Sequence, residues 1–195
     1  MQEALWGLGL VLVIVAVVLY NRLVVLRNRF RNAFAQIDVQ LKRRYDLIPN
    51  LVDAVKGYMA HERATLEAVS QARARASLVA DAASVRPGDA QAMAALAEAE
   101  AALGGALGTL LARVEAYPQL KASANVLALQ EELSSTENRI AFARQHFNDS
   151  VLEYNNQREQ FPGALIASLA RFPGAEMLQS IETPEERRAP RVAQG

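Results

Sequence analysis

Residues 32–69 decide how this chain folds, and their sequence is NAFAQIDVQLKRRYDLIPNLVDAVKGYMAHERATLEAV. They join an apolar N-terminal run to a polar body rich in helix-forming residues. Two helical patterns meet within them at residues 46–49, where the sequence is Asp-Leu-Ile-Pro. Proline is accepted in the first turn of a helix but interrupts a helix that has already begun. We therefore predict that one helix ends in a turn or sharp kink at residues 46–50 and that another starts there.

Residues 4–21 precede this stretch and contain no charged side chain. Their length approaches the roughly 17–25 residues that an α-helix needs to cross a bilayer. Trp6 and Tyr20 lie near the two ends, where interfacial aromatic residues are favoured. The flank Met1-Gln2-Glu3 has no cation, and no small-x-small cleavage site follows the run. These features favour an uncleaved transmembrane anchor over residues 1–21 rather than a signal peptide.

Charge on the two sides of the apolar run predicts its orientation. Glu3 precedes the run. Four arginines follow it: Arg22, Arg27, Arg29 and Arg31. The positive-inside rule then places the N-terminus outside and the C-terminal domain in the cytoplasm. The same four arginines are candidate contacts for lipid headgroups, although the topology signal alone would explain them.

Beyond the run, apolar residues recur three and four positions apart, which is the spacing of amphipathic helices. The first stripe consists of Leu23, Leu26, Phe30, Ala33, Ile37 and Leu41. A second helix is predicted from about Leu51 to residue 83, with Gly57 inside it. A third is predicted over residues 90–116, after the Pro- and Gly-containing loop at 84–89. A fourth begins near Ser123 or Asn125 and ends before Phe161.

These patterns predict an all-α fold, in which an N-terminal transmembrane helix runs into an antiparallel up-and-down four-helix bundle with long helices. The bundle occupies residues 22–160. Because the fourth helix returns towards the membrane, residues 161–178 are predicted to be a short, apolar, membrane-proximal segment. The candidate interfacial residues of this segment are Phe161, Leu165, Ile166, Leu169 and Phe172. Residues 179–195 are predicted to be a flexible tail.

The third helix contains a Gly-x-x-x-Gly spacing at Gly104 and Gly108. This spacing lets two helices approach closely in transmembrane pairs. The uncharged run around it, residues 101–112, is too short to span a bilayer. We therefore predict helix packing at Gly104 and Gly108, either within the bundle or between copies of the chain.

Candidate chemistry is sparse along the chain. Without cysteine, the chain can form no disulfide and no thiolate metal site. His61-Glu62 begins like a His-Glu-x-x-His zinc motif, but Thr65 stands where the second histidine would be, and the remaining histidine is His146. We predict no catalytic residue, no cofactor, no metal and no nucleic-acid partner. In the basic cluster at residues 42–44, Arg43 is expected to pair with Glu131 or Glu132.

Two blocks of the chain are similar to a known family. They are YNRLVVLRNRFRNAFAQIDVQLKRRYDLIPNLVDAVKGYMAHERATLEAV at residues 20–69 and YPQLKASANVLALQEELSSTENRIAFARQHFNDSVLEYNNQREQFPG at residues 117–163. In these blocks the chain resembles the LemA family of bacterial membrane proteins. The resemblance implies a single-pass protein of the bacterial inner membrane with a soluble four-helix body. It implies no enzymatic activity, and family members in magnetosome-forming bacteria are linked to membrane shaping.

Together these observations predict a membrane-anchored helical scaffold that is involved in membrane organisation through self-association, without catalysis. Its partners are then the lipid bilayer and further copies of the same chain. The alternative is a cytoplasm-facing adaptor or regulatory module that recruits an unidentified soluble protein to the membrane. A third possibility, an enzyme with a metal inside the bundle, lacks the Glu-x-x-His motif of carboxylate–histidine bundles.

Overall fold

The computed structural model describes residues 2–179, and within this span every regular element is a helix. The elements are α1 (Gln2–Lys56), α2 (Arg63–Val85), α3 (Ala90–Glu115), α4 (Pro118–Lys121), α5 (Ala124–Glu159) and α6 (Gly163–Leu169). Ion pairs between α1 and α5 join Arg29 to Glu153 and Arg43 to Glu132, so the two helices run in opposite directions. The prediction of an all-α fold with an up-and-down bundle of long helices is confirmed.

The two parts of α1 have different surroundings. Every large apolar side chain between Leu5 and Val18 is at least 42% exposed. Leu23, which follows the apolar run almost at once, is fully buried, and burial then recurs along one face. That face consists of Leu23, Leu26, Phe30, Ala33, Phe34, Ile37 and Leu41. The bundle therefore begins where the apolar run ends, with no linker between them.

Two helices in the described part of the chain, α1 and α3, are long and apolar enough to cross a membrane. Burial distinguishes them, because 6% of the apolar window of α1 is buried against 33% of that of α3. Leu96, Leu103 and Leu110 of α3 are fully buried, and α3 packs along α2. α3 is therefore a core helix of the bundle, and α1 carries the candidate membrane span.

The predicted helix break at residues 46–50 is wrong, because α1 continues through Pro49 to Lys56. Proline has no N–H, so Pro49 leaves the carbonyl of Tyr45, four residues earlier, without its helical partner. The Nε of Arg73 on α2 donates a hydrogen bond to this carbonyl at 2.8 Å. α1 accommodates Pro49 because a side chain from the next helix supplies the missing hydrogen bond.

The chain reverses direction at residues 57–62 instead. Gly57 was predicted to lie inside the second helix, but it begins this turn, and the following helix starts only at Arg63. Glycine has a low helix propensity, which favours an end to α1 at this position. Met59 is fully buried and closes the tip of the bundle. The reversal is therefore displaced along the chain, while the order and direction of the helices are as predicted.

An aromatic cluster fastens α5 to α1. The ring of Phe30 lies 6.3 Å from that of Phe147 and 5.1 Å from that of Tyr154, and Phe34 lies 5.5 Å from Phe147. All four residues are buried. The two Phe147 pairs are edge-to-face and the Phe30–Tyr154 pair is tilted, and aromatic pairs of this kind add to the stabilisation that burial provides. They hold the membrane-proximal half of α5 in one position relative to α1.

The boundaries of α3 and α5 agree with the sequence-based prediction. Asp89 caps α3, because its Oδ1 accepts a hydrogen bond from the backbone N–H of Ala92 at 2.9 Å. Gly88 before it has φ +83°, a conformation that side-chain-bearing residues rarely adopt. Ser123 is the residue that precedes α5. The loop at residues 84–89 and the start of the fourth long helix are confirmed.

After α5 the chain forms α6 and then a segment without helix or strand. Residues 172–178, which we call the strap, lie along the bundle with Phe172, Ala175 and Leu178 buried. Of the predicted flexible tail at residues 179–195, residues 180–195 lie outside the described part of the chain.

Candidate functional site at the membrane-proximal end

Helix α6 lies against α1 and α5 at the end of the bundle that adjoins the apolar run. Three of the predicted interfacial residues are strongly exposed there: Phe161 (82%), Leu165 (63%) and Leu169 (84%). Leu165 and Leu169 are four residues apart and therefore share one side of the helix. These three residues form an uncovered apolar surface, which we call the α6 face.

The aromatic ring of Phe172 fixes the position of α6 relative to the apolar run. It packs edge-on against the ring of Tyr20 at 5.5 Å, and the guanidinium of Arg27 lies 5.2 Å from its centroid. Phe172 is therefore buried, and Ile166 is partly buried against the core. These two predicted interfacial residues anchor the segment to the bundle. Because Tyr20 closes the apolar run, the α6 face lies at the level where the run ends.

Close backbone contact at Gly163 holds the start of α6 against the end of α5. A Cβ atom at this position would overlap the carbonyl oxygen of Gln157. Real Cβ atoms do not approach backbone oxygen that closely, so only glycine fits without a shift of the backbone. The position of the α6 face is therefore set by backbone packing as well as by the contacts of Phe172.

The four candidate headgroup arginines have different environments. Arg22 and Arg31 are exposed. Arg27 stacks on Phe172, and Arg29 pairs with Glu153 at 2.5 Å. At 1.5 Å per residue, Arg31 lies roughly 14 Å further along α1 than Arg22, so Arg22 is the nearest of the four to the end of the apolar run. Contact of these arginines with headgroups stays a prediction.

Two asparagines on α5 hold the strap by its backbone. Asn155 donates from Nδ2 to the carbonyl of Ala175 at 2.7 Å and accepts from the N–H of Ala175 at 3.1 Å. Asn148 makes the same pair of bonds with Leu178, at 3.2 Å to the carbonyl and 2.9 Å from the N–H. Each amide side chain thus satisfies both backbone groups of one strap residue, as a neighbouring β-strand would.

Further contacts fasten the strap to three parts of the bundle. On α5, the hydroxyl of Tyr154 donates to the carbonyl of Pro173 at 2.6 Å, and the Nε of Arg158 donates to that of Phe172 at 3.0 Å. The N–H of Glu176 donates to the carbonyl of Gly88, between α2 and α3, at 2.8 Å. Phe172 contacts α1 as described. The strap therefore ties α1, α5 and the loop before α3 together beside α6.

A buried ion cluster joins three helices farther from the membrane end. Arg44 on α1 is 5% exposed, and its guanidinium contacts Glu100 on α3 at 2.6 Å and Glu137 on α5 at 2.8 Å. The hydroxyl of Tyr45 donates to the other oxygen of Glu100. The Nε of Arg44 is buried and has no hydrogen-bond partner within the described residues. This cluster, together with Arg73 on α2, brings groups of all four long helices to one level.

Burial changes the proton affinities in this cluster. Loss of hydration raises the pKa of the Glu100 carboxyl above its usual range, and the nearby Arg44 charge and the Tyr45 hydrogen bond offset part of this rise. Burial also raises the pKa of the Tyr45 phenol, and the Glu100 carboxylate raises it further. The Tyr45 phenol therefore stays protonated and acts as a donor throughout the physiological range.

The raised pKa of Glu100 predicts a pH-dependent stability. The folded state binds a proton at Glu100 more tightly than the unfolded state, so this residue's contribution is present below the unfolded pKa and is lost as pH rises through the folded pKa. The free energy of unfolding of the wild type minus that of Glu100→Gln should therefore decrease as pH rises from about 4.5. Urea unfolding in detergent, followed by circular dichroism between pH 4 and 8, measures this difference. Glu132→Gln, which removes an exposed carboxylate, is the matched control, and an equal slope in both variants would contradict the assignment.

The predicted ion pair of Arg43 is confirmed, because its Nη2 lies 3.6 Å from Oε1 of Glu132. The predicted helix packing at Gly104 and Gly108 is not seen between the described helices of one chain. Both glycines are exposed. Among residues 2–179, a Cβ at Gly108 would meet nothing within 4 Å, and one at Gly104 would meet only the tip of Arg44 at 3.9 Å. Gly108 therefore has no neighbour within the described residues, and packing between copies stays a prediction.

Both histidines are exposed, His61 in the turn after α1 and His146 on α5. Among residues 2–179, no group of three or more metal-ligating side chains is placed to hold an ion.

Sequence reasoning missed the two asparagines that hold the strap. The signal was available in part, because Asn148 and Asn155 are seven residues apart and therefore lie on one face of α5. Their partners are backbone groups, however, and nearly every residue has the same backbone groups, so the sequence does not indicate which ones are bound. The hydrogen bond from Arg73 to the Tyr45 carbonyl was missed for the same reason.

Comparison with known proteins places the chain in a family. The LemA family profile matches residues 33–193. Magnetosome protein MamQ of Magnetospirillum gryphiswaldense is 26% identical over 172 residues, which cover 80% of this chain and 63% of that protein. Magnetosome protein MamQ 2 of Paramagnetospirillum magneticum is 25% identical over 175 residues, covering 82% of this chain and 64% of that protein. Protein LemA of Metamycoplasma hominis is 26% identical over 162 residues, covering 83% of this chain and 69% of that protein.

The profile match covers most of the chain, including the bundle helices α2 to α6 and the strap. The chain spans less than two thirds of the length of the two MamQ relatives. The fold, the apolar start of α1 and these relatives agree with one another. This chain is a membrane-associated helical protein, and it belongs to the LemA family.

Proposed function

We propose that this chain is a membrane-anchored helical scaffold that organises the membrane through self-association and without catalysis. The observation that carries the proposal is the α6 face, which lies at the level where the apolar run of α1 ends. A second apolar surface at this level would enter the interface beside the anchor. The protein would then hold the membrane by two attachments with different depths.

Two attachments fixed to one rigid body are suited to shaping a membrane. The portion of α1 from Leu23 to Lys56 extends roughly 50 Å beyond the anchor and is braced by α5 along much of its length. Apolar side chains that enter one leaflet only take up area in that leaflet and are sensitive to curvature. Two relatives carry the name magnetosome protein, and extension of a membrane role from them to this chain is an analogy between family members.

The orientation is part of the proposal. Arg22, Arg27, Arg29 and Arg31 all follow the apolar run, so we place the bundle in the cytoplasm of a bacterial cell and the N-terminus outside the inner membrane. Fusion of green fluorescent protein or alkaline phosphatase to the C-terminus tests this topology. Fluorescence without phosphatase activity is expected, and the reverse pattern would overturn it.

Removal of the α6 face should reduce membrane deformation. We expect Phe161→Ser/Leu165→Ser/Leu169→Ser to leave the bundle folded, because all three side chains are exposed, and to lower the number of deformed liposomes several-fold. The measurement is electron cryomicroscopy of liposomes that contain the full chain at one fixed protein-to-lipid ratio.

The matched control replaces three equally exposed apolar residues elsewhere on the bundle. Leu78, Val85 and Phe142 are 73%, 79% and 73% exposed, and their serine variants should deform liposomes as the wild type does. If the control and the α6 variant behave alike, the α6 face has no specific role. A direct test of depth uses Trp6→Phe/Leu165→Trp, whose single tryptophan should be quenched by brominated lipids.

Self-association is the second part of the proposal. Gly104 and Gly108 are exposed on α3 and offer no side chain that would hold a neighbouring helix away. The size of the detergent-solubilised protein tests this part, since a scaffold should form a defined assembly. A monomer at all concentrations would count against the scaffold and favour the adaptor.

The adaptor alternative is favoured by a cleft at the opposite end of the bundle. A cavity of about 590 Å³ lies between the end of α1 and the start of α2. Its lining includes the apolar side chains of Val52, Met59 and Leu66 and the charged side chains of Lys56 and Arg63. A soluble partner would bind here, far from the bilayer. Loss of a cross-linked partner in Val52→Asp, with an unchanged monomeric size, would support this function.

A further inference from the structure

The strap is held in a way that depends on its backbone conformation. Asn148 and Asn155 are seven residues apart, about 10.5 Å along a helix, and they bind strap residues 175 and 178, which are three residues apart and about 10 Å in an extended chain. The two spacings match, so an extended segment satisfies both amides in register. This surface of α5 is therefore a receptor for an extended peptide.

Buried side chains add sequence selectivity to this receptor. Phe172, Ala175 and Leu178 are buried at intervals of three residues. A Cβ at Gly88 would lie 3.0 Å from the Cβ of Ala175, so the absence of a side chain at Gly88 lets the loop before α3 approach the small residue Ala175 closely. The peptide that suits this receptor has a large aromatic residue, then a small residue, then a large aliphatic residue.

We propose that the occupant of this receptor is also the strap of a second copy, so that two copies exchange residues 172–178 and form a dimer. This inference rests on the proposed self-association and specifies which surfaces of the two copies are in contact. Apart from the Ala167 carbonyl of α6, which bonds the N–H of Phe172, the groups that hold the strap belong to α1, α5 or the loop before α3. An identical strap from another chain can therefore make the same bonds.

A hinge for the exchange lies directly before the strap. Arg171 has φ +54°, the left-handed conformation that favours glycine, and the N–H of Phe172 closes the turn on the carbonyl of Ala167 at 2.9 Å. An arginine in this conformation is strained relative to glycine. When the strap leaves its own bundle, Arg171 can become extended, so the hinge favours the open form.

Anchoring in one membrane allows two copies to exchange straps reciprocally. Anchored copies stand in the same orientation, and their straps all lie near the end of the apolar run. Because residues 172–178 are the bound segment and the hinge is Arg171, the exchange requires two bundles in direct contact beside α6. Reciprocal exchange about a two-fold axis along the membrane normal satisfies both receptors and leaves no free strap.

The test is complementation between two defective copies with different affinity tags. One copy carries Asn148→Ala/Asn155→Ala and lacks a receptor, and the other carries Phe172→Ser/Leu178→Ser and lacks a functional strap. Neither copy can make the contact alone. After co-expression of the full chains and extraction in detergent, the mixed pair should co-purify several-fold more than either copy with itself. Helix content by circular dichroism confirms that each variant is folded.

Equal recovery of the mixed pair and of the like pairs would overturn the exchange. If the wild type is then still an assembly by size, self-association stands and uses another surface. If the wild type is a monomer as well, the scaffold function fails together with the exchange.

A milder variant keeps the proposal testable if a double variant fails to fold. Arg171→Gly relieves the strain of the closed turn and should shift the equilibrium towards the monomer, with a rise of at least about fivefold in the dissociation constant of the dimer. Lys121→Gly, in an exposed position away from the strap, controls for a general effect of glycine. An unchanged dissociation constant for Arg171→Gly would count against exchange at this hinge.

Discussion

Replacement of Arg44 by methionine is expected to lower the free energy of unfolding by about 3 kcal/mol at neutral pH. Arg44 is buried between Glu100 and Glu137, and its removal leaves the Glu100 carboxylate in the bundle without a cation. Glu137 is half-exposed and can be hydrated, so most of the cost arises at Glu100. Urea unfolding of the full chain in detergent, monitored by helix content, measures the effect.

Arg43→Met is the matched control, because it removes the same side chain one position earlier. Arg43 and Glu132 are about half-exposed, and pairs of this kind contribute at most about 1 kcal/mol. The added change Glu100→Leu should restore much of the stability lost in Arg44→Met. It removes the unpaired carboxylate and leaves apolar side chains at this buried position of the bundle. Equal losses of unfolding free energy for Arg43→Met and Arg44→Met would show that the buried cluster stabilises the fold no more than the exposed pair does.

Replacement of Arg73 by leucine is expected to cost about 2 kcal/mol, because the carbonyl of Tyr45 then loses the donor that replaces its helical partner. In a Pro49→Ala background the same change should cost less than about 1 kcal/mol, because the alanine introduced at position 49 would donate its own N–H to that carbonyl. A double-mutant cycle in urea should therefore give an interaction energy of at least about 1 kcal/mol between positions 49 and 73.

Arg75→Leu provides the control on the same helix. The Nη2 of Arg75 lies 2.9 Å from Glu98, but both side chains are more than half-exposed, so its loss should change stability by less than about 1 kcal/mol in either background. If Arg73→Leu costs the same with and without Pro49, then Arg73 does not compensate for the proline, and another explanation of the unbroken helix is needed.

The two sets of contacts hold different parts of the bundle. The Arg44 cluster and Arg73 fix the four long helices to one another far from the apolar run. Gly163, Phe172 and the strap fix α6 beside the end of the apolar run. If copies associate as we propose, a bundle that is held at both levels would transmit force between those copies and the bilayer.

Much of this architecture follows from the sequence alone. The uncharged run, the three- and four-residue spacing of apolar side chains and the Pro-Gly loop are local signals. They predicted the apolar start of α1, the four long helices, the loop at residues 84–89 and the start of α5, while the short helices α4 and α6 were not predicted. The Arg43–Glu132 pair was also accessible, because antiparallel neighbours bring those two helix ends together. In each case the relevant residues are close in sequence or follow directly from the helix order.

Only the tertiary structure decided where α1 ends and what holds the strap. The sequence around Pro49 predicts a break because proline interrupts a helix. The prediction fails because Arg73, on another helix, donates a hydrogen bond to the unpaired carbonyl. Likewise, Asn148 and Asn155 bind backbone groups up to thirty residues away, and Phe172 is buried because it meets Tyr20 and Arg27 of α1. Sequence periodicity reports which face of a helix is apolar. Which distant donor meets an unpaired carbonyl depends on how the helices pack, and that is settled only when the chain has folded.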